Sequence, residues 1–222
     1  TKYEQDKKLW NEESPEYVRL AQKYDLDCGI LSTKDVQTSQ DTVTCVGADF
    51  TKWDDCIGER TFPQGEVYLG KWMGGLRNGY GTFFNPETGT KYVGNHVDGV
   101  RSGFGTYTHP AGYSYSGNWK NGVFNGINGH EIGPVSKNNK LAQDYRGGFK
   151  NGKRDGFGTL KYSDGTIYKG EFNSGTFSDI NGSIVYPNGA TYVGSFLNGH
   201  FNGWGKFTFA DGYTEEGTFA EG

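Results

Sequence analysis

The chain has 222 residues and a net charge of −4, with 37 glycines, six prolines, 16% aromatic residues and only 33% apolar residues in all. So little aliphatic material excludes helices packed on a parallel sheet, which needs continuous Val/Ile/Leu runs, and the few prolines exclude collagen. The aromatics argue against disorder, no window approaches about 18 apolar residues, and no basic stripe is present to neutralise nucleic acid phosphates.

In chain order, residues 1–55 form a segment of their own, and its first residues carry no charged-then-apolar signal pattern. Ser14, Pro15 and Glu16 predict a helix start, with an N-cap hydroxyl followed by proline at the first helical position. Tyr17, Val18, Leu20, Ala21 and Tyr24 then recur at helical spacing up to Gly29. One apolar stripe needs a surface to lie on, so this short helix is expected to cap one end of the sheet. Residues 32–44, rich in Ser, Thr, Gln and Asp, read as a linker.

From residue 56 to 222 a repeat takes over: a half repeat, six full repeats and an incomplete terminal one. Each full unit has a tyrosine, a glycine two positions on and a large ring four positions on. The sets are Tyr68, Gly70 and Trp72; Tyr92, Gly94 and His96; Tyr115, Gly117 and Trp119; Tyr145, Gly147 and Phe149; Tyr168, Gly170 and Phe172; Tyr192, Gly194 and Phe196. Successive tyrosine positions lie 24, 23, 30, 23, 24 and 23 residues apart, the last step reaching Glu215. A glycine follows three residues after each ring (Gly75, Gly99, Gly122, Gly152, Gly175, Gly199), and Gly-aromatic-Gly follows at Gly79, Gly103, Gly156 and Gly203.

Residues at i, i+2 and i+4 share one face of a strand. The glycine between two large rings leaves a gap for a ring from the next hairpin, and the later glycines supply turns. Each period is thus two short strands and two turns. Single hairpins are marginal, so they must stack around a shared core. That core is predicted to be Tyr68, Trp72, Tyr92, Tyr115, Trp119, Tyr145, Phe149, Tyr168, Phe172, Tyr192 and Phe196. The fold class is therefore all-β: one elongated, twisted antiparallel sheet of stacked hairpins, of about thirteen strands and roughly 60 Å.

Departures from the pattern are informative. His96 reads as an aromatic-sized filler rather than a catalytic or metal-binding group. Residues 129–144 hold an insertion expected to form a long loop. Phe124 to Gly129 and Phe177 to Gly182 carry an extra residue, which predicts a β-bulge. Lys150, Lys153 and Arg154, beside Asp155, read as a solvated loop.

This pattern resembles the MORN (membrane occupation and recognition nexus) repeat family over residues 56–222. The resemblance implies a stacked-hairpin sheet that serves interactions. Cys45, Gly47, Lys52, Trp53, Cys56 and Gly58 look like the lead-in of some bacterial MORN proteins. A disulfide between Cys45 and Cys56 would close a small loop there, and free thiols stand as the alternative. The localisation would be periplasmic or secreted with the disulfide, and cytoplasmic without it.

No catalytic set, cofactor or metal site is expected. His96, His109, His130 and His200 all fall at repeat or turn positions, and Cys28, Cys45 and Cys56 are too widely spaced for a zinc ligand set. The expected function is a non-enzymatic scaffold presenting a repeat-built surface to protein partners, with a homodimer through the C-terminal repeat as a candidate assembly. A peripheral membrane or phospholipid adapter is the alternative, disfavoured by the acidic charge. A glycan-binding module is weaker still, since it would need a row of outward-facing rings.

Overall fold

In a computed structural model of the chain, residues 43–134 and 143–220 are described. The predicted helix at residues 14–24, Cys28 and residues 135–142 of the insertion lie outside them. Everything described builds one antiparallel sheet of 16 strands, preceded by a single 3-10 turn, Phe50–Lys52. The strands are β1 (Cys56–Thr61), β2 (Val67–Met73), β3 (Leu76–Asn85), β4 (Thr90–Val97), β5 (Val100–Thr108), β6 (Ser114–Lys120), β7 (Val123–Phe124) and β8 (Gly126–Ile132). They continue as β9 (Gln143–Lys150), β10 (Lys153–Tyr162), β11 (Ile167–Asn173), β12 (Thr176–Phe177), β13 (Asp179–Val185), β14 (Thr191–Leu197), β15 (His200–Thr208) and β16 (Thr214–Phe219).

Sheet order follows chain order throughout, and β7 and β12 are short side branches on β6 and β11. The count exceeds the expected thirteen for two reasons. The terminal unit adds β16. The extra residue in the two variant repeats also breaks one strand into β7 plus β8 and another into β12 plus β13, with register shifts at Gly126/Gly129 and Asp179/Gly182. Bulges are not confined to those repeats, because the register also shifts at Gly70/Trp72, Gly94/His96, Arg154/Gly158 and Gly194/Phe196.

A line of glycines crosses the sheet at right angles to the strands. Gly58 pairs with Gly70, Gly70 with Gly81, Gly81 with Gly94, Gly94 with Gly105, and Gly105 with Gly117. The line resumes as Gly129, Gly147, Gly158 and Gly170, and again as Gly182, Gly194, Gly205 and Gly217. One period-two position per strand is thus free of side chain, and the strands close up there: a Cβ on Gly147 would meet the Phe157 carbonyl oxygen at 2.6 Å.

Along one side of this frame the strands are joined by two-residue turns, and along the other by longer ones such as 86–89 and 209–213. Asn121 and Gly122 both have positive φ (51° and 81°), as do Asn198 and Gly199 (51° and 87°), the backbone that a tight Asn-Gly hairpin turn requires. Each turn also leans on the repeat before it. Gly99 N–H donates to the Arg77 carbonyl, Gly122 to Arg101, Gly152 to Phe124, Gly175 to Arg154 and Gly199 to Phe177. The lead-in starts this series, since Gly75 N–H donates to the Trp53 carbonyl. Its residues 43–45 lie parallel to β1, with Cys45 N–H donating to the Ile57 carbonyl and Ile57 N–H to the Val43 carbonyl. Cys45 and Cys56 are joined as a disulfide, so this cover of the first sheet edge is covalently tied to β1.

A candidate interaction face built on an aromatic ladder

All eleven core rings anticipated above are buried, and they lie on one face of the sheet. Each tyrosine lies back over the glycine line. The Tyr92 hydroxyl donates to the Asn95 carbonyl at 3.0 Å, and the Tyr115, Tyr145, Tyr168 and Tyr192 hydroxyls reach carbonyls three residues on at 2.9–3.1 Å. The gap at most of these glycines is therefore filled by the tyrosine of its own hairpin, whereas at Gly129 and Gly182 the nearest ring is Phe149 or Phe196 of the next hairpin, as the sequence suggested. The ring of the next hairpin also meets that tyrosine edge-on.

The outcome is one unbroken edge-to-face chain. It runs from Trp53 through Trp72, Tyr68, His96, Tyr92, Trp119 and Tyr115 at centroid distances of 5.0–5.4 Å. It continues through Phe149, Tyr145, Phe172, Tyr168, Phe196 and Tyr192 to Phe219 at 4.8–5.2 Å. Burial pushes the ladder phenols up, Tyr145 to about 12, so they stay neutral hydrogen-bond donors.

His96 occupies one rung between Tyr68 and Tyr92. It is 2% exposed, and its Nδ1 has no hydrogen-bond partner. Burial pulls its pKa down to about 3, helped by the charges of Arg77 and Arg101. The unfolded chain, at the ordinary value of 6.5, therefore takes up a proton that the folded chain refuses. The stability held above pH 6.5 is lost as the pH falls from there toward about 3. The slope approaches about 1.4 kcal/mol per pH unit. Urea titrations at pH 7 and pH 4.5 are expected to show a smaller pH difference for His96→Phe than for the wild type, and equal differences would mean that His96 is protonated in the fold.

A second tier lies over the ladder, and sequence reasoning missed it. It consists of Arg77, Arg101, Phe124, Arg154, Phe177 and Phe201, each two residues after its turn glycine. That fixed offset was a readable signal. Phe124, Phe177 and Phe201 stack on Tyr115, Tyr168 and Tyr192 at 3.9, 4.4 and 3.8 Å. Arg101 and Arg154 lie over Tyr92 and Tyr145 at 5.0 and 4.8 Å. Arg154 is thus not part of a solvated basic loop as expected from its neighbours. Its side chain is 16% exposed, and its Nε donates to Glu131 Oε2 at 2.7 Å. Lys150 and Lys153 are exposed on either side of the turn.

Between Arg101 and Phe124 this tier parts into a groove of about 400 Å³, lined by Phe83, Asn85, Thr90, Tyr107, Trp119 and Val123. It offers apolar walls, a guanidinium and a few polar rim groups, the mixture that binds ligand or peptide side chains. The back of the sheet presents another row. The central residues of Gly-x-Gly point away from the ladder, and Phe157 and Trp204 are 67% and 62% exposed, alternating with exposed Ile127 and Ile180. Among the described residues no three His, Cys, Asp or Glu side chains gather as a metal-binding group, and no helix is long and apolar enough to cross a membrane.

Comparison with a repeat-family model agrees with the repeat geometry. A family model of the MORN repeat matches residues 68–86, 92–112, 115–127, 145–167 and 192–212, five copies in all. No curated protein matches. Among solved structures, the TCP domain of SAS-4 (dCPAP) of Drosophila melanogaster, in complex with a proline-rich motif of Ana2 (dSTIL), is similar at 13% identity with a TM-score of 0.37. That likeness covers 85% of this chain and 99% of that one.

Proposed function

The chain belongs to the MORN repeat family, whose repeats mediate protein or membrane interactions, and from that premise we propose that it is a non-enzymatic scaffold that receives protein partners on its aromatic–arginine face. The observation that carries this is the second tier. Its rings and guanidiniums are half-buried by the ladder beneath and open above, around the groove at Arg101. A ladder with every rung in contact holds these groups without further ordering, which lowers the entropic cost of docking.

Two further points belong to the same proposal. β16 is the last strand of the described sheet, with Phe219 half-buried on the ladder and Tyr213 62% exposed beside it. A strand edge left unpaired among the described residues, with apolar rings on it, supports a homodimer through the C-terminal repeat. The Cys45–Cys56 disulfide supports an oxidising compartment, periplasmic or secreted.

The test places a photo-crosslinking amino acid at Val123 on the groove rim or at Val193 on the opposite face, both exposed. In extract of the source organism, a defined protein adduct from position 123 and none from 193 is expected. Adducts from 193 alone would move the binding surface to the back of the sheet. Flotation with anionic vesicles and no adduct at either position would replace the scaffold by a membrane adapter.

A further inference from the structure

We propose that the Arg77–Arg101 end of this face takes a carboxylate-rich peptide segment of a partner protein, its acidic side chains lying against the two guanidiniums. The inference rests on the reading of this face as the binding surface and narrows what that surface recognises.

The argument is a comparison of the chain with itself. Three repeats place an arginine in the second tier. In one of them the charge is answered: Arg154 Nε donates to Glu131 Oε2 at 2.7 Å, while Tyr113 holds the other carboxylate oxygen at 3.1 Å. Glu131 sits opposite Tyr145 on the preceding strand, the register position that faces the arginine of that repeat. For Arg101 the same position, opposite Tyr92 on β3, is Phe83. For Arg77 it is Arg60, opposite Tyr68 on β1. The carboxylate that completes the Arg154 site is thus missing at both other sites, and at one of them a third cation replaces it.

The described residues offer these arginines little else. Arg77 Nη2 donates to the Gly99 carbonyl at 2.6 Å, and its guanidinium lies 5.3–5.8 Å from the Phe62, Tyr68 and Phe83 rings. Arg101 lies 5.0–5.4 Å from Tyr92, Tyr107 and Trp119. Neither they nor Arg60 forms an ion pair among the described residues. Glu66, just before β2, has a buried Oε2 with no hydrogen-bond partner and forms no ion pair with these arginines. Burial depresses the Arg77 pKa, and the charge of Arg101 adds to the effect. Half-buried cations without counter-ions are costly, and a carboxylate with bidentate geometry relieves that cost.

The shape selects the source of the anion. Arg101 lines the groove with Asn85 and Thr90, beneath the rim formed by Val123 and Phe124. An extended peptide can lower a side chain into that recess. The headgroups of a flat bilayer meet proud lysines and arginines more readily than a guanidinium held among rings.

Fluorescence anisotropy with the full chain and labelled hexaglutamate at low salt tests this. The wild type is expected to bind and to release the peptide as salt rises. Arg101→Gln is expected to weaken binding about tenfold or more, as for loss of a charge-assisted hydrogen bond, and Arg146→Gln, on the opposite face, is expected to bind as the wild type does. Phe83→Glu places a carboxylate where Glu131 stands beside Arg154, and it is expected to abolish binding with an unchanged or raised melting temperature. If that variant fails to fold, the Arg101→Gln result decides alone. Hexaglutamate that fails to bind the wild type, or binds Arg101→Gln equally well, overturns the proposal, as does arginine-dependent binding to phosphatidylserine vesicles without binding of the peptide. Any of these would leave the crosslinking test of the interaction face standing, because that test uses no acidic probe.

Discussion

Trp119→Ala is expected to destabilise the protein by about 3–5 kcal/mol, as large aromatic deletions in cores do. Trp119 is 4% exposed and joins two repeats, with Tyr92 at 5.0 Å on one side and Tyr115 at 5.4 Å on the other. Its indole Nε1 donates to the Gly105 carbonyl at 3.0 Å, in the same way that Trp72 Nε1 donates to the Gly58 carbonyl. Truncation therefore opens a cavity, unpairs a buried carbonyl and removes the ring beneath Phe124 and Arg101. In a solenoid each unit contacts only its neighbours, so the damage should separate the array into two halves. Urea unfolding followed by tyrosine fluorescence is expected to become broader or biphasic. An unchanged midpoint would show that the ring is not a rung of the ladder.

Gly94→Ala should cost as much or more, for a different reason. Gly94 has an ordinary strand backbone, so alanine meets no conformational barrier. The obstacle is space. A Cβ there would run into the Gly105 Cα on the paired strand, and would lie 2.7 Å from the Tyr92 hydroxyl and 2.8 Å from the Phe104 carbonyl oxygen. Two of these three are backbone, and the third is a fully buried ring already bonded to the Asn95 carbonyl. Overpacking typically costs about 1–3 kcal/mol, and more where the neighbours cannot move. The expected loss lies at or above the top of that range, read as a fall in urea midpoint. The control is Gly217→Ala on β16, where a Cβ meets nothing within 4 Å and little change is expected. Equal, small effects at both sites would mean that the strands do not close up along the glycine line.

The two variants probe the two halves of one design. Large rings need somewhere to lie, and the line of side-chain-free positions supplies it. His96 shows how tolerant the size rule is, since an imidazole fills a rung held elsewhere by Trp or Phe. It also shows the limit, because burial makes protonation of this imidazole costly.

What was legible in the sequence alone follows from local geometry. A strand has a period of two, so Tyr68, Gly70 and Trp72 had to share a face, and six recurrences of that triplet made the stacked-hairpin sheet and its ring core readable before any coordinates. The turns were readable for the same reason, because a glycine three residues after each ring meets a backbone demand within two residues. What only the tertiary structure decided are contacts between residues far apart in the chain. The bulge in nearly every hairpin re-aims the residue two after the turn glycine, so Arg154 leaves its basic neighbours and meets Glu131, 23 positions earlier. The pairing of Cys45 with Cys56, with free thiols open until then, depended on a parallel contact at the sheet edge. That Arg60 and Phe83, and not a carboxylate, stand opposite Tyr68 and Tyr92 is likewise a matter of register, because which side chain stands opposite which is set by the pairing of strands and not by spacing along one of them.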